Sequence, residues 1–116
     1  MTYFQLFLQT FVLEWVVLLF IFHRIGFWEK TLVILLANGL THPLIVFGIL
    51  RLPDFPLLNL VLAAELVAVL LEALIYRYLL RISWGTALLG SLLANLFSWE
   101  MGPRLSYLLQ RWNLVF

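Results

Sequence analysis

The sequence predicts an all-α integral membrane protein: an up-down bundle of four transmembrane helices with a short amphipathic helix at the membrane surface. Hydrophobic residues make up 65% of the 116-residue chain and charged residues only 11%, far from the composition of a soluble domain. Four apolar runs are long enough to cross a bilayer, which takes about 20 residues. The connections between them are short, so sequential helices are expected to be antiparallel neighbours.

Each predicted span ends where charges, prolines or glycine interrupt the apolar pattern. The three connections contain HRIGFWEK, RLPDFP and RISWG, and proline in particular removes a helical hydrogen bond and restricts the residue before it. All four spans are assigned to one membrane domain. They are placed at about 3–22, 31–50, 57–80 and 86–102.

The tail 103–116 is predicted to form a separate helix after Gly102 and Pro103. Its apolar residues recur at helical spacing, with Arg104 and Arg111 on the opposite face. An amphipathic helix of this kind, carrying tryptophan and arginine, is typical of segments that lie at the membrane surface. The same face could instead dock on a partner protein.

Charge and cysteine content exclude several classes of function. The formal net charge is +1 and cysteine is absent, so there is no disulfide framework, thiolate nucleophile or iron–sulfur cluster to expect. Lysine and arginine are scattered singly, which argues against binding to nucleic acid. The expected surroundings are the lipid bilayer and other membrane proteins.

The orientation in the membrane is set by a small difference in basic residues. The positive-inside rule favours the side with more lysine and arginine as the cytoplasmic one, which would leave both termini outside. A difference of one charge also leaves insertion in both orientations open. The first and third connections contain Arg24, Lys30, Arg77 and Arg81, and the opposite side contains Arg51, Arg104 and Arg111.

Three glutamates lie within the predicted spans. Glu14 is near the middle of the first span, and Glu65 and Glu72 are seven residues apart on one face of the third, about 10 Å along the axis. A charged residue at a helix centre costs about 2.5–3.5 kcal/mol on insertion scales. We therefore expect these acids to be partly protonated or paired, and to bind protons or a cation.

Amide and imidazole side chains give the second and fourth spans a polar face as well. Asn38 and His42 share a face of the second span, followed by Pro43, which is expected to kink the helix and free a backbone carbonyl. Asn95 lies on a small, polar stripe of the fourth span. If all polar faces turn inward, the predicted site contains Glu14, Asn38, His42, Glu65, Glu72 and Asn95, with Pro43 as the kink beside it.

Structural roles remain open for the same residues. Protonated acids can hydrogen-bond amides and hydroxyls to fix helix pairing without any other function. His42 could relay protons, ligate a metal or tetrapyrrole, or be a buried histidine that bonds an acid. Neither a metal nor a cofactor is assigned by the sequence.

In size, number of spans and the acid Glu14 in the first helix, the chain resembles the small multidrug resistance transporters. That resemblance implies a dimer that exchanges protons for cationic drugs. The third span departs from the family, since it has no glycine and carries Glu65 and Glu72. No residue role is therefore carried over.

The sequence favours a small, oligomeric transporter that binds protons or a cation at the acidic and amide-rich site. The alternative is a non-catalytic accessory subunit or assembly factor of a larger membrane complex, whose polar core only fixes helix registration. A membrane enzyme or pigment-binding protein that uses His42 is a third class. The transporter predicts a water-accessible cavity at Glu65 or Glu72, and the subunit predicts a dry, fully hydrogen-bonded core.

Overall fold

The computed structural model describes residues 2–112, which are all-helical apart from their connections. Each of the four helices corresponds to one predicted span, although the bounds differ. A single 3-10 turn, Ile49–Arg51, lies in the second connection. The helices are α1 (Tyr3–Ile21), α2 (Phe27–Phe47), α3 (Leu57–Leu79) and α4 (Trp84–Arg111).

Polar side chains define where two of the helices begin. The Thr2 hydroxyl accepts from the Gln5 backbone N–H, and the Gln5 side chain accepts from the Thr2 N–H, forming a capping box at the start of α1. Ser83 caps α4 in a simpler way, since its hydroxyl accepts from the Thr86 N–H. These contacts satisfy backbone donors that have no partner within the helix.

The four helices form a ring in which each helix packs on two others. Helices that follow each other in the chain are neighbours, and α1 and α4 close the ring. α1 packs on α2 and α4, and α3 packs on the same two helices. The end of α1 packs closely on α4 at Gly90, where an added Cβ would lie only 2.9 Å from ring atoms of Phe22 and 3.2 Å from the Leu18 side chain. The absence of a side chain at Gly90 therefore sets the separation of the first and last helices.

Three of the described helical segments are long and apolar enough to cross a membrane, consistent with a multi-pass membrane protein. They are Tyr3–Ile21, Phe27–Arg51 and Leu57–Leu79. α4 is not among them, although a fourth span was predicted at 86–102. Serine, asparagine and glutamate dilute its apolar character, and much of its inner face is small or polar.

The separate surface helix predicted for the tail is wrong over the described residues. α4 continues without a break through Gly102 and Pro103 to Arg111. Gln9 of α1 ties this part of the helix to the bundle: its Nε2 donates to the Gly102 carbonyl at 2.9 Å, and its Oε1 accepts from Ser106 Oγ at 2.9 Å. The remaining residues of the predicted tail, 113–116, lie outside the described part of the chain.

α2 begins earlier than predicted because two charged residues belong to its first turn. Glu29 lies at the helix N-terminus, where the helix dipole favours an acid. Lys30 is buried, and its Nζ donates to the Leu19 and Phe22 carbonyls at the end of α1, at 3.4 and 3.2 Å. The charge of Lys30, which suggested a loop, therefore caps the C-terminal end of α1.

The two ends of the bundle have different interiors. The closed half is the end at the α1–α2 and α3–α4 connections. The terminal half is the end that carries the N-terminus, the α2–α3 connection and the C-terminal end of α4. Fully buried apolar residues fill the closed half, among them Leu18, Phe22, Ile34, Ala73, Tyr76 and Ala87.

Candidate proton- or cation-binding site

A cavity of about 320 Å³ occupies the terminal half and is lined by residues of all four helices. Its inner end lies at the middle of the bundle and its outer end near the chain termini. By the usual volume of about 30 Å³ per water, it has room for about ten water molecules or one small organic cation. All six predicted site residues line it: Glu14, Asn38, His42, Glu65, Glu72 and Asn95.

Glu72 of α3 lies at the inner end of the cavity, held by donors from two other helices. It is 1% exposed. Its Oε1 lies 2.8 Å from Thr41 Oγ1 of α2, and its Oε2 accepts from Asn95 Nδ2 of α4 at 2.9 Å. Asn95 also donates to the Ser91 carbonyl at 2.8 Å, which fixes the orientation of its amide. Both oxygens of this carboxyl group therefore have a partner, as burial of a polar group requires.

Glu14 of α1 faces Glu72 across the bundle and is equally buried. The two carboxyl groups lie close enough to interact, while the Ser98 hydroxyl of α4 donates to the Asn95 carbonyl at 3.1 Å. Oε1 of Glu14 is buried and meets no hydrogen-bond donor among residues 2–112. Two buried carboxyl groups that interact avoid charge repulsion when at least one of them is protonated.

Glu65 is the outermost of the three acids. It lies on the same face of α3 as Glu72, two turns nearer the terminal half, and is only half-buried. It is close enough to Glu72 for their charges to interact. The alignment expected from the seven-residue spacing therefore holds, with one acid at the inner end of the cavity and the other nearer its mouth.

His42 lines the cavity but is surrounded by aromatic rings rather than acids. Its ring lies 5.2 Å from that of Tyr3 and 5.7 Å from that of Phe7, between centroids. Its Nδ1 is buried and has no hydrogen-bond partner within the described residues. The carboxylate partner expected for this histidine is not observed there.

Asn38 and Pro43 differ in how they relate to the cavity. The Asn38 side chain lines it and donates to the Ile34 carbonyl of its own helix at 3.0 Å. Pro43 lies within α2, which continues to Phe47, and is not part of the lining. Pro43 has no N–H to donate to the backbone carbonyl one turn earlier. That carbonyl belongs to Gly39, an exposed residue on the outer surface of the bundle.

Sequence reasoning missed several residues that surround the acids. Thr41 shares a helix face with Asn38, yet its contact with Glu72 depends on the packing of α2 against α3. Gln9 and Ser106 line the outer part of the cavity and hydrogen-bond to each other. Spacing along a helix shows which residues share a face, but it does not show which face of the next helix they meet.

The chemistry of the site is that of a buried acid pair beside a polar cavity. Within residues 2–112, no three His, Asp, Glu or Cys side chains are grouped so as to hold a metal ion. The pair can hold a proton, and an ionised acid could attract a cation into the cavity. Searches of protein-family models, curated proteins and solved structures find no match to this chain.

Proposed function

We propose that the protein is a small membrane transporter that binds protons or a cation at the Glu14–Glu72 pair. The observation that carries this proposal is the cavity, whose lining runs from the terminal half to both carboxyl groups and includes polar side chains of all four helices. Glu65, nearer the mouth of the cavity, is suited to exchange protons or cations between the buried pair and water. Acids within a membrane are expensive to bury and are usually retained for such a function.

The unsatisfied polar atoms of the cavity favour transport over a purely structural role. Glu14 Oε1 and His42 Nδ1 are buried without a hydrogen-bond partner among the described residues. A core that only fixed helix registration would be expected to satisfy such atoms, because an unpaired buried polar group costs about 1–3 kcal/mol. A cavity that admits water or a cation supplies the missing partners.

The proposal includes α4 as a fourth membrane-crossing helix. It packs antiparallel to its neighbours α1 and α3, with Ala87, Ser91, Ala94 and Asn95 buried against them. At about 1.5 Å per residue, its 28 residues reach about 42 Å, more than the hydrocarbon thickness of about 30 Å. Assembly as a homo-oligomer is part of the same proposal, since apolar side chains cover the outside of the bundle.

The test is proton uptake into liposomes that contain the purified protein and a trapped pH-sensitive dye. A potassium gradient with valinomycin sets the membrane potential. We expect wild-type protein to acidify the lumen and both Glu14→Gln and Glu72→Gln to reduce the initial rate by at least about tenfold, equivalent to about 1.4 kcal/mol. Glutamine keeps the size of the side chain but cannot release a proton.

Glu100→Gln is the matched control. Glu100 is exposed on α4 and pairs with Arg104 at 2.8 Å, and exposed pairs contribute little to stability. This variant should transport at the wild-type rate. If wild-type protein shows no flux and co-purifies with other membrane proteins at fixed stoichiometry, the accessory-subunit alternative replaces the transporter.

A further inference from the structure

The acids that line the cavity have no cationic partner in the described part of the chain. The only ion pair there joins Arg104 to Glu100 on the exposed surface of α4, and no lysine or arginine of residues 2–112 lines the cavity. The basic side chain of the lining is that of His42, which is packed against aromatic rings. Acids within a membrane are normally paired. The positive charge that balances these acids is therefore expected from a ligand.

Glu14 indicates where one positive charge belongs. Its side chain lines the inner end of the cavity, is 1% exposed, and has an Oε1 that meets no hydrogen-bond donor among the described residues. Glu72 differs, because Thr41 and Asn95 occupy its two oxygens. An ammonium group has three N–H donors and a positive charge. It would satisfy Glu14 Oε1 and balance the charge of the inner end at the same time.

The wall between the inner end and the mouth is largely apolar. Thr41 of α2 meets Glu72 of α3 at the inner end. Since these two helices are antiparallel, Ile45 and Ala68 lie one turn nearer the terminal half, and both line the cavity. The α4 residue one turn beyond Asn95 is Trp99, which also lines it. Three of the four helices therefore present apolar side chains at this middle level of the cavity.

Glu65 adds a second acid beyond the middle level. It precedes Glu72 by seven residues on the same face of α3, and Ala68 lies between the two acids on that face. Seven helical residues extend about 10 Å along the axis. The cavity is therefore acidic at its inner end, apolar in the middle and acidic again toward its mouth.

We propose that the cation of this site is a linear diamine, with one ammonium group at Glu14 and Glu72 and the other at Glu65. Its methylene chain lies along Ile45 and Ala68. This assignment names the cation and so rests on the proposed function. Hydrogen bonds of about 2.8 Å from each ammonium to its carboxylate leave about 5 Å between the nitrogens, the length of about three or four methylene groups. The cavity of about 320 Å³ has room for such a molecule and several waters.

Other cations match the cavity less well. A divalent metal ion needs several oxygen ligands around one point, and no three His, Asp, Glu or Cys side chains of residues 2–112 are grouped in that way. A monoamine balances one end and leaves the other acid without a partner. The separation of the acids therefore favours a charge at each end of a chain over the same charge at one point.

The test is calorimetric titration of full-length protein in nanodiscs of uncharged lipid. Diaminobutane and butylamine have the same carbon chain and differ in the second ammonium. We expect diaminobutane to bind at least about tenfold more tightly, because hydrogen bonds to a second charged group add to those of the first. Mg²⁺ should not displace it. Relative to the monoamine of the same length, the advantage of a diamine should be lost in diaminooctane, whose second ammonium extends past Glu65.

Two variants separate the ends of the site. Glu65→Gln should reduce the affinity for diaminobutane to that for butylamine and leave butylamine binding nearly unchanged. Glu14→Gln should weaken the binding of both amines, because each places an ammonium at the inner end. Glu100→Gln is the matched control, since it removes an exposed acid that is not part of the lining. It should change the binding of neither amine.

The proposal is overturned if diaminobutane binds no more tightly than butylamine, if Mg²⁺ displaces it, or if Glu65→Gln weakens both amines alike. Ala68→Leu covers the case in which Glu65→Gln does not fold. It keeps all three acids but fills the middle level, so it should weaken diaminobutane binding, and an unchanged affinity would also overturn the proposal.

These titrations do not depend on flux. Binding as expected, in a protein that moves neither protons nor the diamine, would refute the transporter and leave the diamine site in place. Proton flux that requires Glu14 and Glu72, in a protein without a preference for the diamine, would refute the diamine and leave the transporter.

Discussion

The closed half and the terminal half of the bundle are built from the same four helices but differ in how completely they are packed. In the closed half, Tyr76 and Phe22 are buried with their rings 5.3 Å apart, and the Phe22 ring rests against Gly90. In the terminal half, the same helices separate around a polar cavity. The Phe22–Tyr76 contact lies between the cavity that holds the acids and the pocket of about 330 Å³ at the closed end, so the proposed transport would require this contact to open.

The difference in packing should have its largest effect on the free energy of unfolding when the same substitution is made at two buried alanines of α3. Ala73 lies in the closed half and Ala68 lines the cavity, and both are at most 2% exposed. Ala73→Leu should lower the free energy of unfolding by about 1–3 kcal/mol, because a full core has no space for three more carbons. Ala68→Leu should change it by less than about 0.5 kcal/mol. Unfolding in mixed detergent micelles measures both, and equal losses would contradict the comparison.

Water access should distinguish two serines of α4. The chain has no cysteine, so Ser98→Cys and Ser91→Cys each introduce a single thiol. Ser98 lines the cavity, whereas Ser91 is fully buried and donates to the Val69 carbonyl at 2.8 Å. A charged thiol reagent should label Ser98→Cys at least about tenfold faster, because reaction requires access to the thiol. Similar rates for the two variants would mean that the cavity is closed to water.

The smallest expected effect concerns the buried hydroxyl of Tyr76. It lies in the closed half without a hydrogen-bond partner among residues 2–112. Tyr76→Phe should therefore raise the free energy of unfolding, by about 1 kcal/mol, since it removes an unsatisfied polar group and keeps the ring. Tyr78→Phe on the same helix, where the side chain is 64% exposed, should have no measurable effect. A loss of stability in Tyr76→Phe would show that water reaches the closed half.

Helix positions were largely predictable because apolar length and punctuation are local properties. The first and third predicted spans differ from α1 and α3 by one residue at most. The errors arose at Lys30, which was assigned to the first connection, and at Pro103, which was expected to separate the fourth span from a tail helix. Lys30 finds carbonyl acceptors on α1, and the helix around Pro103 is held by Gln9. Such tertiary contacts override a local signal that normally ends a helix.

The candidate site was predictable in membership but not in arrangement. Helical periodicity placed Glu14, Glu72 and Asn95 on inward faces, and all three line the cavity. It did not reveal that Glu14 pairs with Glu72, that Thr41 completes the partners of Glu72, or that His42 lies among aromatic rings. These facts depend on the rotation and depth at which neighbouring helices pack, which the spacing within one helix does not determine.

The hydrogen bonds of Gln9 also bear on how the protein is made. They join residues 93 and 97 positions apart in the chain, so α1 finds these partners only after α4 has been synthesised. Until then, Glu14 on the nascent chain lacks the wall of its cavity that α4 supplies. The polar surroundings of Glu14 are therefore completed late, and before that step its polar contacts must come from outside the bundle.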